Sequence, residues 1–179
     1  MSRRSRVDLH APHDRYDEVA DASAALVINS YSSSFGLASR LLGEPVRSHV
    51  RNIYALVRVA DEIVDAPRPG QGTDDRHVAL DRLESETNDA LESGSSSNLV
   101  VHAFARSARR VGVDTSLTAP FFSSMRMDLT LQTHDEKTLA EYIYGSAEVV
   151  GLMCLRAFVA DEPRADQRYD ELSRGAQHL

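Results

Sequence analysis

The chain has 179 residues, 42% hydrophobic and 26% charged, with 27 acidic against 20 basic side chains and a net charge of −7. The acidic balance excludes non-specific nucleic-acid binding. The single cysteine excludes an internal disulfide and fits a reducing compartment. No uninterrupted apolar run reaches the roughly 18 residues of a membrane span, and the basic N-terminus has no apolar run behind it to make a signal peptide. A cytoplasmic location is expected, with membrane association as the alternative. The seven histidines are scattered, which argues against a zinc site.

Residues 1–15 are polar and are expected to form a disordered tail ahead of one helical domain over 16–179. A first helix is expected over 16–30, with Val19, Ala22, Ala25 and Leu26 on its apolar side. Ser32, Ser33 and Ser34 precede an apolar pattern that reaches Leu42. They read as a helix start, with one of them as N-cap. A long helix is expected over 44–65, with Pro45 in its first turn. Residues 66–73 are rich in Pro and Gly and read as a loop. Thr73 or Asp74 is expected to cap an amphipathic helix to about Glu92, with Val78, Leu80, Leu83 and Leu91 apolar. Its acidic run is most simply a solvated face. Further helices are expected over 99–111, 115–130, 136–160 and 164–177, the one over 136–160 largely buried. Cys154 lies in an apolar run and reads as a buried structural thiol. No segment alternates like a strand between hairpin turns, so the fold class is all-α, with short loops.

The long helix carries two stripes. Val46, Val50, Ile53, Val57, Ala60 and Val64 recur at steps of four and three and form an apolar one. Arg47, Arg51, Tyr54, Arg58, Asp61 and Asp65 form a second, about 100° round the helix. Asp61 and Asp65 therefore point the same way, one turn apart. Bare, that pair costs a few tenths of a kcal/mol, and a cation reverses the cost. Carboxylate oxygens suit Mg²⁺, whose shell is usually completed by water and substrate phosphates. Arg58 can grip a phosphate or pair with Asp61. The same spacing is common on solvated helix faces, so the pair alone admits both readings.

Three stretches in order resemble the squalene/phytoene synthase family of head-to-head prenyl transferases. Ser32-Ser-Ser-Phe-Gly-Leu-Ala-Ser-Arg-Leu-Leu42 is similar to the family's S-x-S-F-x-x-A-x-x-L-L segment. Tyr54-Ala-Leu-Val-Arg-Val-Ala-Asp-Glu-Ile-Val-Asp65 is similar to its first aspartate-rich motif. Met125-Arg-Met-Asp-Leu129 with Tyr142-Ile-Tyr-Gly-Ser-Ala-Glu-Val-Val-Gly-Leu152 resembles its M-x-M-D-L and Y-x-Y-x-x-A-x-x-V-G pair.

The resemblance implies an isoprenoid synthase-type helical bundle, of which this chain is the N-terminal part, around a central cavity. It implies that two prenyl diphosphates bind through Mg²⁺, with Mn²⁺ as an alternative, on two facing acidic helices. Carried over residue by residue, Asp61 and Asp65 hold metal. Arg58, Ser32 and Ser34 contact diphosphate, and Phe35 belongs to the same substrate segment. Tyr54 and Tyr144 lie near the reacting carbons, where aromatic faces steady carbocations. Asp128 lies near the head of the second substrate, and Val149 with Leu152 and Met153 borders a tail channel or simply packs the core. The implied reaction joins two geranylgeranyl diphosphates into phytoene through a cyclopropyl intermediate, in carotenoid biosynthesis. Squalene synthase chemistry on farnesyl diphosphate is the rival. A non-catalytic helical bundle that self-associates is the alternative of a different class. A homodimer and a peripheral membrane contact for product release are further partner expectations.

Three departures from the family pattern stand out. Ser33 occupies a place where the family has a basic residue, so one phosphate contact is expected to be lost, or to be supplied by Arg40 or Arg51. Glu148 replaces a glycine and is expected to crowd a close helix approach. No second DxxxD with the family's context follows Tyr144; Asp161, Asp166 and Asp170 do not match it. The chain is therefore expected to stop short of the second metal-binding helix.

Overall fold

The computed structural model describes residues 12–131 and 133–176. Of the expected disordered tail over 1–15, residues 12–15 are instead the first turn of a helix, while residues 1–11, Gln177, and the side chains of Ser33, Ser34 and Phe35 lie outside that description. The helices are α1 (Pro12–Tyr31), α2 (Ser33–Ser39), α3 (Val46–Asp65), α4 (Thr73–Ser93), α5 (Leu99–Val111), α6 (Thr115–Thr130), α7 (Glu136–Ile143), α8 (Val149–Val159) and α9 (Ala165–Ala176), with a π-helical turn, Tyr144–Glu148, between α7 and α8. No strand occurs among the described residues.

The apolar stripe of the long helix makes α3 the axis of the bundle, in contact with α1, α2, α4, α5, α6 and α8. Val50, Ile53, Leu56, Ala60 and Val64 of α3 meet Leu80, Phe104, Phe121, Phe122, Val149 and Met153 in the main core. Several helix ends are fixed by the residues that flank them. The Asn98 side chain accepts the N–H groups of Val100 and Val101, and Gly112 closes α5 in the left-handed region at φ 80°. Asp114 accepts from Ser116 N at 2.9 Å and starts α6. The N-cap of α4 is Gly72, not Thr73 or Asp74, and the Asp75 carboxylate accepts the Gly72 N–H at 2.9 Å. Pro45 precedes α3 rather than sitting in its first turn.

Three further expectations are corrected. The first helix begins at Pro12 and buries Ala20, Ala24 and Ile28, while Val19 and Leu26 are 46% and 68% exposed. The cause is close packing. Ala20 and Ala24 meet Ala55 of α3 and Ala103 of α5 in a second, small-residue core, where larger side chains would hold the helices apart. The second correction concerns residues 136–160, where α7 buries none of its residues. Only α8 lines the core, through Val149, Leu152, Met153 and Ala157. Glu136–Val159 taken together is long and apolar enough to cross a membrane by length and composition alone.

Third, the close helix approach lies at Gly145, not at Glu148, which is half-buried. A Cβ on Gly145 would stand 2.0 Å from Ser124 Oγ and 2.3 Å from the Pro120 carbonyl oxygen of α6. The π turn, closed by Val149 N–H on the Tyr144 carbonyl, brings the helix in at this point. Ser124 of α6 donates to the Tyr142 carbonyl at 3.2 Å, and Ser146 donates to it at 2.8 Å. Cys154 is mostly buried, and burial pushes its thiol up to about 11, as expected of a structural thiol.

Candidate active site

The second stripe of α3 is realised, but its members do different work. Arg47 turns back to the preceding turn, donating to the carbonyls of Leu42 at 2.8 Å and Arg40 at 3.1 Å. Arg58 pairs with Glu62 one turn on, stands 3.9 Å from Asp61, and lays its guanidinium over the Tyr31 ring at 4.7 Å. Tyr54 and Asp61 are half-buried and Asp65 is exposed. Burial pushes the Asp61 carboxyl up to about 6; Arg58 opposes the rise, and the charges of Asp65, Asp128 and Glu62 add to it. More negative charge gathers here than the neighbouring arginine balances.

Asp128 faces this stripe from α6. Its carboxyl is raised by burial and by Asp65, against the hydrogen bond from Tyr142 and the proximity of His134. Tyr142 Oη donates to Asp128 Oδ2 at 3.2 Å, and the His134 ring lies 5.0 Å from the Tyr142 ring. Arg126, two residues earlier on α6, ties that helix to α4 through Asp81 and Glu84. Asp61, Asp65 and Asp128 are therefore near enough for their charges to act on one another, from residues 67 positions apart. The sequence reading named all three but missed Tyr142 and His134. The Tyr-Ile-Tyr run was the available signal, and it pointed to the other tyrosine.

The remaining expected site residues scatter. Tyr144 is 37% exposed and lies on the side of Tyr169 in α9, whose hydroxyl it influences electrostatically. Val149 is fully buried in the main core. Ser32 is half-buried just ahead of α2, its carbonyl accepting from Gly36 N at 3.0 Å. Arg40 is exposed, and Arg51 is half-buried with its Nε buried and without a partner. A groove of about 510 Å³ opens beside Arg58, lined by Val27, Tyr31, Glu62, Ile63 and Arg68.

At the other end of α3 lies a second polar cluster that the sequence did not suggest. Asn52 donates to Asp21 at 2.8 Å and to Ser107 at 2.9 Å. Ser107 Oγ stands 3.0 Å from His49 Nδ1. Arg106 joins Asp17 and Asp21 at 3.1 and 3.3 Å. His102 accepts from Ser96 N on Nδ1, so Nε2 carries the proton and donates to Asp17 at 2.7 Å. Burial lowers His49.

Among the described residues no three His, Cys, Asp or Glu side chains are grouped closely enough to hold a metal unaided. The donor set at the C-terminal end of α3 is nonetheless all oxygen and carries excess negative charge, the chemistry that suits a hard divalent cation.

A family model described as squalene/phytoene synthase matches residues 28–179. A 15-cis-phytoene synthase of Paracoccus sp. is 29% identical over 150 residues, covering 80% of this chain and 49% of that protein. Phytoene synthase 1, chloroplastic, of Zea mays is 28% identical over 160 residues, covering 88% and 38%. A 4,4'-diapophytoene synthase of Staphylococcus haemolyticus is 23% identical over 145 residues, covering 80% and 49%. A crystal structure of a dehydrosqualene synthase in complex with ligand superposes with a TM-score of 0.69 at 26% identity, over 84% of this chain and 53% of that one. The chain thus spans about half the length, or less, of the curated relatives it matches.

Proposed function

The chain belongs to the squalene/phytoene synthase family, and we propose that it carries one diphosphate-binding side of an enzyme joining two prenyl diphosphates head to head, with geranylgeranyl diphosphate as substrate and phytoene as product. The observation that carries this reading is the Asp61/Asp65 pair beside Arg58, within electrostatic reach of Asp128, with the Asp61 carboxyl pushed up to about 6 by burial and like charges. Asp61 and Asp65 would hold Mg²⁺, whose shell substrate oxygens and water complete. When bound, that ion neutralises the charge that develops on a departing diphosphate.

Arg58 would turn from Glu62 toward the diphosphate, a planar fork meeting an oxyanion. Arg51 carries a buried Nε without a partner, which supports it over exposed Arg40 as the replacement for the missing basic residue at Ser33. Ser32 adds a hydroxyl from the α1–α2 junction. Tyr54 offers an aromatic face within the same stripe. Tyr144 keeps its carried-over role in the set, on the α9 side of the π turn. Farnesyl diphosphate is the second reading, favoured by the similarity to a 4,4'-diapophytoene synthase and to the dehydrosqualene synthase fold.

The test is calorimetry of Mg²⁺ with a thio-analogue of geranylgeranyl diphosphate. Binding is expected to require both components and to disappear in the Asp61→Asn, Asp65→Asn double variant. Undiminished binding by that variant sinks the assignment. Repeating the titration with the farnesyl analogue ranks the two substrates.

A further inference from the structure

We propose that a groove at the other end of α3 binds a phosphate-bearing anion through Arg110, Arg109 and the His49 ring. The groove encloses about 520 Å³ and is lined by His49 of α3 and by Arg106, Arg109 and Arg110 of α5. His49 lies about 18 Å along α3 from Asp61, so this place is separate from the acidic stripe. The closed polar cluster forms part of its lining, but three cationic or protonatable groups beside that cluster are not used up by it.

Arg106 is occupied by Asp17 and Asp21. Arg109 is held in place without being neutralised. Its Nη1 donates to the carbonyls of Leu91 and Glu92 at 2.6 and 2.7 Å, and its Nε stands 3.4 Å from where a Cβ on Gly94 would lie. Its remaining N–H groups are thereby pre-oriented. Arg110 is exposed and has no hydrogen bond or ion pair among the described residues. His49 completes the set. Ser107 is buried and accepts from Asn52, and the acceptor for its own hydroxyl hydrogen is His49 Nδ1 at 3.0 Å. The His49 proton therefore sits on Nε2, which has no partner among the described residues.

Arginines in the last turn of α5 suit the helix dipole. That role does not require Arg110 to lie within electrostatic reach of His49. Burial lowers the proton affinity of His49 and Arg110 lowers it further, while Asp161, Asp21 and Glu44 oppose. Asp21 is already engaged by Asn52 and Arg106, and Glu44 by Ser48. An anion between Arg110 and His49 relieves their mutual repulsion. Guanidinium forks and a ring N–H arriving from two helices suit the many lone pairs of a phosphate. The volume exceeds a single inorganic ion, which points to a phosphate carried on a larger molecule, soluble or lipid.

The test follows the His49 ring by NMR in Mg²⁺-free buffer at about 0.15 M salt, where the acidic stripe has no cation with which to hold a diphosphate. Inorganic diphosphate is titrated in one arm. Phosphatidylcholine vesicles with and without phosphatidic acid are tested by co-flotation in the other. Diphosphate is expected to move the His49 signals saturably, with a midpoint below about 1 mM. Arg110→Gln breaks no protein contact and is expected to weaken binding about ten-fold with the thermal midpoint unchanged. Arg82→Gln removes the same charge from an exposed place on α4 and is expected to change nothing. Flotation that needs phosphatidic acid and is lost in Arg110→Gln assigns the phosphate to a lipid headgroup; diphosphate binding without flotation assigns it to a soluble compound. A bound phosphate favours the imidazolium, so the His49 titration midpoint is expected to rise in the complex and affinity to grow as pH falls through it. The absence of a saturable response in both arms, equal binding by Arg110→Gln, or an unmoved His49 midpoint overturns the proposal.

Discussion

The two polar clusters on α3 are opposites. The one shared with α1 and α5 is closed: Asp17 and Asp21 meet Arg106, Asn52 and Ser107 satisfy one another, and both nitrogens of His102 have partners. The one shared with α6 and α7 is open: the charges of three carboxylates act on one another, and the nearby Arg58 is taken up by Glu62. Buried polar groups that balance each other fix helix positions. Like charges gathered without a balancing partner persist against their own repulsion, and such sites are candidates for ligands. The difference separates the cluster that builds the bundle from the one the bundle serves.

The comparison can be broken most forcefully at Gly145, whose close approach delivers Tyr142 to the open cluster. Gly145→Ala puts a Cβ into the Pro120 backbone, which cannot swing aside, and is expected to cost about 3 kcal/mol, read as a lower denaturant midpoint. The closed cluster should be the next most sensitive. Asn52→Ala strands partners on two helices and is expected to cost about 2 kcal/mol in the same measurement, while leaving Mg²⁺-dependent binding of the analogue intact once the protein is folded. The open cluster should respond in the opposite direction. Asp61→Asn is expected to stabilise the ligand-free protein at neutral pH by a few tenths of a kcal/mol.

The pH dependence carries the same sign. A carboxyl raised from 3.8 to about 6 in the folded state binds more protons folded than unfolded between those values. Stability therefore falls as pH rises through that window and levels off above it. Thermal midpoints taken across the window should show this slope in the native chain and lose part of it in Asp61→Asn. A destabilising Asp61→Asn would place Asp61 with the closed cluster instead.

Much of this arrangement was legible in the sequence because the signals were local. Helix α5 begins and ends where Asn98 and Gly112 dictate, α6 begins where Asp114 dictates, and the four-and-three spacing on α3 gave both of its faces. The failures were non-local. The buried side of α1 is lined by alanines because of where α3 and α5 stand, and the sequence reading favoured larger side chains that turned out to face solvent. Asp17 and His102 meet across 85 positions, with no motif to announce them. Tyr142 and Tyr144 are indistinguishable as letters. Only the path of the π turn decides which of them reaches Asp128.

That turn also sets a constraint on chain length. It holds one residue more than a regular helical repeat between α7 and α8, so the two helices run out of phase with each other. Deleting a single residue from Tyr144–Glu148 would let the segment close as ordinary helix. Val149 and Met153 could stay in the core only if α7 rotated by about 100°, carrying Tyr142 off Asp128. Replacements along the exposed face of α7 leave that phase untouched. Gly145 apart, insertions and deletions are thus the disruptive class in this segment, and its length is held more tightly than the composition of the exposed α7 face.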